Sequence, residues 1–181
     1  MIIIVSGFPR SGTSMMMQIL QAGGIPLLYD ITMTSEANPD GPFEWSKLRH
    51  AEENAEWPSI AEGKAIKAFL PNIPKFTREL ACKVIVMVRN PIEVAKSRNL
   101  KKNRPIDYQL ESETEIVINS LAMAKAAFAD LAYPTLEVPY ADIVQTPDVW
   151  LNAIIDFLSI DRANIAAMRA VIKPELYRNK S

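Results

Sequence analysis

Short, continuously apolar runs rich in isoleucine and valine alternate along the chain with longer segments of helical pattern. The runs are Ile2–Val5, Ala65–Phe69, Lys83–Val88 and Thr135–Val138. Apolar runs of this length are typical of strands buried on both faces, and the helical segments between them supply the crossovers that a parallel sheet requires. The pattern predicts the α/β class, with a central parallel sheet of at least four strands between two layers of helices.

Residues that favour helix ends bound the helical segments. A helix over about Thr13–Ala22 is expected to end at Gly23 and Gly24, Pro91 is expected to begin another, and Thr146 to cap the N-terminus of the helix that follows it. The other predicted helices are Trp45–Ala55, Ser112–Ala132, Pro147–Leu158 and Arg162–Val171. Ile25–Gly63, apart from Trp45–Ala55, and Lys101–Gln109 are predicted to be irregular.

Composition narrows the class of protein. A chain of 181 residues with 49% hydrophobic content is sufficient for one core, so we predict a single domain over residues 1–181. The formal net charge of -1 gives no overall field for nucleic acid or an anionic membrane. Cys82 is the only cysteine, and no apolar run approaches the length of a membrane span. We therefore expect a cytoplasmic protein with no nucleic-acid or membrane partner.

The segment after the first strand, Gly7–Ser14, has the glycine spacing of a phosphate-binding loop between a strand and a helix. Such a turn aims backbone N–H groups and the positive end of the helix dipole at one anion. The candidate binding residues here are Arg10, Ser11, Gly12, Thr13 and Ser14. Nucleotide triphosphatases with this loop place lysine directly after the second glycine, where this chain has Thr13, and the cation here is Arg10 instead.

A second anion site is predicted where the third strand ends. Arg89 follows that strand, and open α/β sheets bind ligands at the carboxyl ends of their strands. Ser97, eight residues later on the following helix, is expected to reach the same anion.

These two segments resemble the sulfotransferases that use phosphoadenosine phosphosulfate (PAPS). Pro9–Ser14 is similar to the family's 5′-phosphosulfate loop, usually Pro-Lys-Ser-Gly-Thr-Thr, and Val88–Pro91 with Ser97 is similar to its 3′-phosphate segment. The resemblance implies a small bacterial-type member with the sulfotransferase fold, which is related to that of phosphate-loop nucleotide triphosphatases. It also implies PAPS as donor, adenosine 3′,5′-bisphosphate (PAP) as product, and no required metal.

Weaker resemblances extend over more of the chain. Ile66–Pro71 is similar to the family's Ile-Lys-Thr-His-Leu-Pro, and Tyr140–Ile143 to its Tyr-Glu-Asp-Leu. They imply that Lys67 neutralises the sulfuryl or bridging oxygen and that Tyr140 touches the adenine. The family's glycine-rich basic segment near the C-terminus is missing, and Arg178 is a candidate to replace its cation.

The family's histidine falls on Phe69, which cannot accept a proton, so the catalytic base must lie elsewhere. We rank Glu44 first, because turn residues around it could bring its carboxylate over the loop. His50, the only histidine, is second on its intrinsic pKa. Glu36 and Asp30 follow.

Two other functions compete with sulfotransfer. A small phosphate-loop kinase using Mg-ATP shares the fold class, but it would need the loop lysine and an aspartate where Arg89 stands. A catalytically silent nucleotide-binding module would be compatible with Phe69. The acceptor is expected to be a small molecule or carbohydrate with a hydroxyl or amine, and the sequence does not choose among these or predict an oligomeric state.

Overall fold

The computed structural model describes residues 1–30, 41–53, 56–69, 72–73 and 76–177. The strands are β1 (Ile2–Gly7), β2 (Ala65–Lys67), β3 (Cys82–Val88) and β4 (Thr135–Pro139). The helices are α1 (Thr13–Ala22), α2 (Trp57–Ala61), α3 (Pro91–Lys101), α4 (Leu110–Asp130), α5 (Tyr140–Gln145), α6 (Pro147–Leu158) and α7 (Ile165–Ala170). Short 3-10 segments cover Ser46–Glu53, Arg162–Asn164 and Pro174–Leu176.

The four strands form one parallel sheet in the order β2-β1-β3-β4. β1 therefore lies inside the sheet, between β2 and β3, and all six of its residues are buried. The order changes direction at β1, so the carboxyl ends of β1 and β3 open the crevice where sheets of this kind bind ligands. This edge carries the loop that follows β1 and the arginine that follows β3.

The core has two halves, one on each face of the sheet, because alternate side chains of β1 point in opposite directions. Ile3 and Val5 pack with apolar residues of α1, α6 and α7. Ile2 and Ile4 pack with residues of α2 and α4. The predicted α/β class, with helices on both faces of a parallel sheet, is confirmed.

The structure differs from the sequence prediction mainly between the strands. Within the predicted helix Trp45–Ala55, the described Ser46–Glu53 is instead a 3-10 segment kinked at His50. The helix α2 was not predicted. The second strand ends at Lys67, two residues before Phe69. The predicted final helix is a 3-10 turn followed by the six-residue α7. These segments are short, so tertiary packing determines their conformation more than local pattern does.

Of two predictions about helix ends, the one for the end of α1 is confirmed and the one for the Thr146 cap is wrong. α1 ends at Ala22 with Gly23 as its C-cap, and Gly24 adopts a positive φ of 89°, as its position predicts. Thr146 precedes α6 but does not cap it, because its hydroxyl donates to the Asp142 carbonyl oxygen at the end of α5. In the described ranges, no helix combines the length and apolar character needed to cross a membrane.

Candidate functional site

The loop between β1 and α1 folds into a tight turn at the carboxyl edge of the sheet. Arg10 has a φ of 82° and Gly12 a φ of 101°, both positive. Left-handed backbone at a non-glycine residue costs about 1–3 kcal/mol and clusters at ligand sites. The first turn of α1 carries no acidic residue, and Gly12 at the N-cap offers no side chain to its amides. The Ser11 hydroxyl is buried and, within the described residues, has no hydrogen-bond partner. An anion would fit these donors.

Gly12 lies directly against the ring of Tyr140, the first residue of α5. A Cβ atom built on Gly12 would stand 2.4 Å from Cδ2 and 2.8 Å from Cε2 of that ring. Tyr140 is buried, and this burial raises the pKa of its phenol. Glycine is therefore required at this position for two reasons, its positive φ and the close approach of the ring.

We expect Gly12→Ala to lower the free energy of unfolding by about 2–4 kcal/mol, because backbone strain and displacement of the Tyr140 ring add together. Gly63→Ala is the matched control, since Gly63 has a φ of 73° and no atom within 4 Å of the added Cβ. Urea unfolding should show a loss of only about 1–2 kcal/mol there. Equal losses in the two variants would contradict the steric role of Tyr140.

Two segments that the sequence predicted separately meet at Arg10. Its Nε donates a hydrogen bond of 3.1 Å to Oγ of Ser97, on α3. The Arg10 carbonyl oxygen in turn accepts from Nη1 of Arg89 at 3.3 Å. The structure thus brings the loop cation, the strand-end cation and the helix serine to one place, which is the condition for a shared anionic ligand.

The Arg89 guanidinium is enclosed by acidic and aromatic groups. Its Nε donates to Oε2 of Glu93 at 2.9 Å, and this ion pair is almost entirely buried. The guanidinium carbon lies 4.6 Å from the ring centroid of Tyr140 and 5.2 Å from that of Tyr177. These two rings meet edge to face at 5.0 Å. The enclosure fixes the direction of the Arg89 side chain.

Tyr177 brings the C-terminal segment to this cluster. Its hydroxyl donates to Oε1 of Glu93 at 3.2 Å, and burial together with the Glu93 charge raises the pKa of the phenol. The phenol therefore stays protonated and able to donate. Arg178, the predicted replacement for the family's C-terminal cation, lies outside the described residues.

Lys67 is a buried cation at the end of β2, on the other side of the loop. Its Nζ donates to Oγ of Ser14 at 2.9 Å and to the carbonyl oxygen of Pro42. Burial lowers the pKa of Lys67 to about 7, while the charge of Glu44 acts in the opposite direction. A nearby anion would favour the charged form of this lysine.

The candidate bases occupy different surroundings. Glu44 is half-buried and close enough to Lys67 for its charge to act on that side chain. His50 is exposed at the kink of its 3-10 segment. Asp30 accepts from N and Oγ of Ser46. Glu36 lies outside the described residues.

Asp30 is engaged in securing the start of that 3-10 segment. Its slight burial raises the pKa of its carboxyl, but the two Ser46 hydrogen bonds and the charge of Lys47 lower it overall. A carboxylate with a lowered pKa is a poor proton acceptor at neutral pH.

The rim of the loop is basic. Arg98 donates to Glu113 at 2.6 Å and lies 4.8 Å from the ring centroid of Phe8. Lys102 and Arg104 also face Glu113, at 3.4 and 3.7 Å. One buried carboxylate thus faces three cations, which leaves positive charge beside the loop.

Sequence reasoning missed Glu93, Tyr177 and the Pro42 carbonyl. Glu93 stands four residues after Arg89, and this helical spacing predicts an ion pair, so a signal was available. Tyr177 and Pro42 contact residues that are distant in the sequence, so no short sequence pattern predicts these contacts.

Comparisons with known proteins found one matching family and several proteins of similar fold. The profile of the family described as sulfotransferase domain matches residues 2–173. A sulfotransferase domain from the olefin synthase of Synechococcus PCC 7002 is 18% identical, with a TM-score of 0.55, over 99% of this chain and 83% of that one. Mouse sulfotransferase SULT7A1, solved in complex with PAP, is 18% identical with a TM-score of 0.60, over 99% and 67%. The sulfotransferase domain of the curacin biosynthetic pathway is 13% identical with a TM-score of 0.51, over 99% and 78%. A comparison with curated proteins gave no match.

Proposed function

Because this chain belongs to the sulfotransferase family, we propose that it transfers the sulfuryl group of PAPS to a hydroxyl or amine of a small acceptor. Sulfotransfer in general follows from the family; the donor and the acceptor chemistry are our proposal. The observation that carries it is the hydrogen bond between Arg10 and Ser97, 3.1 Å long. It joins two segments that the sequence independently indicated for two phosphates of one nucleotide.

The loop and the N-terminus of α1 would hold the 5′-phosphosulfate. Arg10 supplies a cation, the Ser11 hydroxyl is a buried donor without a partner in the described residues, and Gly12 leaves the helix amides accessible. Thr13 and Ser14 lie in the first turn of α1, where side-chain hydroxyls add to the backbone donors.

The 3′-phosphate and the adenine would lie along the adjacent strand. Arg89 and Ser97 would bind the phosphate, and the Tyr140 ring beside Gly12 would contact the base. The PAP bound to the mouse relative supports this assignment, since PAP is the product that PAPS leaves behind. Arg178 stays a prediction.

Catalysis requires neutralisation of the donor oxygens and removal of the acceptor's proton. When bound, PAPS supplies an activated sulfuryl group whose bond to the 5′-phosphate breaks in the transfer. Lys67 would neutralise the oxygen at that bond, and its contact with Ser14 places Nζ at the first turn of α1. Glu44, whose charge reaches Lys67, would accept the acceptor's proton. His50 stays a prediction of lower rank, since it is exposed.

Calorimetric titration tests the donor without knowledge of the acceptor. We expect PAP to bind with a Kd in the micromolar range, and Mg-ATP to bind weakly or not at all. Arg10→Ala and Arg89→Ala should each weaken PAP binding by about 1.5–3 kcal/mol, the scale of a hydrogen bond to a charged group.

Arg162→Ala is the control for both variants, because Arg162 forms an exposed ion pair with Asp156 of α6 and has no contact with the loop among the described interactions. It should leave PAP affinity unchanged. A preference for Mg-ATP would overturn the proposed donor and favour the kinase alternative, and unchanged affinity in Arg10→Ala or Arg89→Ala would remove that residue from the site. PAP binding without turnover on any acceptor would favour the silent module.

A further inference from the structure

A cavity of about 330 Å³ adjoins the donor loop on the face of the sheet covered by α4. Its walls are the loop residues Gly7–Pro9, the Phe69 ring, and Ser120, Leu121 and Ala124 of α4. The cavity therefore shares a wall with the loop that we assign to the 5′-phosphosulfate. A molecule inside it would have one end beside the transferred group.

The lining of this cavity is almost entirely apolar. Among the side chains that line it in the described part of the chain, only Ser120 carries a hydroxyl, and none is charged. A sugar placed here would bury several hydroxyls with no partners, at about 1–3 kcal/mol each. A hydrocarbon or aromatic body would instead gain by leaving water. The polar acceptors that the sequence left open do not match this chemistry.

Phe69 departs from the family pattern that this segment resembles. It stands where the family's histidine is expected, two residues after Lys67, and its ring forms one wall of the cavity. The replacement removes a proton acceptor from the site and adds apolar surface. Arg98 packs against Phe8 at 4.8 Å and so helps to hold a second aromatic wall in place.

We propose that the acceptor is an apolar alcohol or phenol whose hydrocarbon body fills this cavity, an inference that rests on the proposed sulfotransferase function. The volume of about 330 Å³ lies at the lower end of the roughly 300–1,000 Å³ range of small-molecule sites. The acceptor's hydroxyl then faces the loop, and its body contacts α4.

The step balances with the groups already named. The acceptor oxygen forms a bond to sulfur, while the bond from sulfur to the bridging oxygen of the 5′-phosphate breaks and its electron pair stays on that oxygen. The hydroxyl proton passes to the carboxylate of Glu44. The products are a sulfate ester of the acceptor and PAP, and no oxidant or reductant takes part.

The test measures PAP formation from PAPS with 2-naphthol and 1-decanol as apolar probes and glucosamine as the polar one. We expect kcat/KM for at least one apolar probe to exceed that for glucosamine by at least tenfold. Ser120→Phe, which fills the cavity from a half-buried position, should lower that value at least tenfold. Asn119→Phe, on the exposed side of the same helix, should change it less than twofold.

PAP affinity is measured in parallel, so that failure of this inference can be separated from failure of the proposed function. If PAP binds but glucosamine is the better acceptor, if neither apolar probe reacts, or if Ser120→Phe changes nothing, the apolar acceptor is wrong. If the unmodified protein binds no PAP, the proposed donor fails, and the acceptor inference fails with it. Unchanged PAP affinity in Ser120→Phe would show that its loss of turnover arises from the acceptor side.

Discussion

Replacement of Lys67 by methionine should lower sulfotransfer at least about a hundredfold, the usual effect of removing one preorganised group that stabilises developing charge. Lys67 is buried and donates to Ser14, in the first turn of the helix that we propose to hold the phosphosulfate. Methionine keeps the length and apolar stem of the side chain but cannot neutralise an oxygen. Steady-state turnover with PAPS and an accepted alcohol measures this loss.

Lys67→Met should also change the number of protons that the protein takes up when it binds PAP. Burial holds the pKa of Lys67 at about 7, so most of this lysine is neutral at pH 8 in the free protein. A phosphate beside Nζ would raise that pKa by about two units, and PAP binding at pH 8 would then take up about 0.8 proton. At pH 6 the lysine is already charged, and its contribution should be close to zero.

Calorimetry in buffers of different ionisation enthalpy measures this uptake. Lys67→Met should abolish it, whereas Lys64→Met should preserve it, because Lys64 donates to the Ile60 carbonyl at the opposite end of the same strand. Equal uptake in Lys67→Met and the unmodified protein would exclude Lys67 from the anion site.

The lowered pKa also makes a prediction that needs no ligand. Between pH 7 and 8.5 the unfolded chain binds a proton at Lys67 that the folded chain has largely released, so the free energy of unfolding should rise with pH. The limiting slope is about 1.4 kcal/mol per pH unit for one group. Urea unfolding should show this rise in the unmodified protein and its loss in Lys67→Met.

Glu44→Gln should lower turnover by about 10²–10⁴-fold, the contribution of a positioned general base, while PAP affinity stays within a few fold. Glutamine preserves the size of the side chain and cannot accept the proton. The separation of turnover from affinity is the informative result, because a general disturbance of the site would weaken both.

Glu115→Gln is the matched control, an exposed glutamate on α4 that should retain full activity. Unmodified rates in Glu44→Gln would discard this assignment and make His50→Gln the next variant to test.

The sheet was predictable because its strands are continuous apolar runs and because residues that favour helix ends lie close to them in the sequence. The runs at β1 and β3 are continuous, and Gly23 and Pro91 mark adjacent helix ends, so their bounds differ little from those expected. Residues near position 50 carry no such pattern. There the structure replaces the expected α-helix with a 3-10 segment that depends on the Asp30 carboxylate, a contact across sixteen residues.

The site was partly predictable for the same reason. The cations Arg10 and Arg89 follow strands whose carboxyl ends must meet at one edge, so topology alone places them together. The partners that orient them, Glu93 and Tyr177, depend on side-chain directions and on the path of the final segment. The proposed acceptor cavity is lined by the loop, Phe69 and α4, and its volume could not be read from the sequence.

The central place of β1 has a consequence for synthesis of the chain. Ile2 pairs with Cys82, and Val5 pairs with Lys67, so neither neighbour exists when the ribosome has produced only β1. A nascent chain must therefore carry the four apolar residues Ile2–Val5 without a partner strand until the sixty residues from position 8 to Lys67 have been added. Parallel pairing of this kind is slow and leaves strand edges exposed to aggregation. Expression at lower temperature, which reduces such aggregation, should therefore favour a high yield of folded protein.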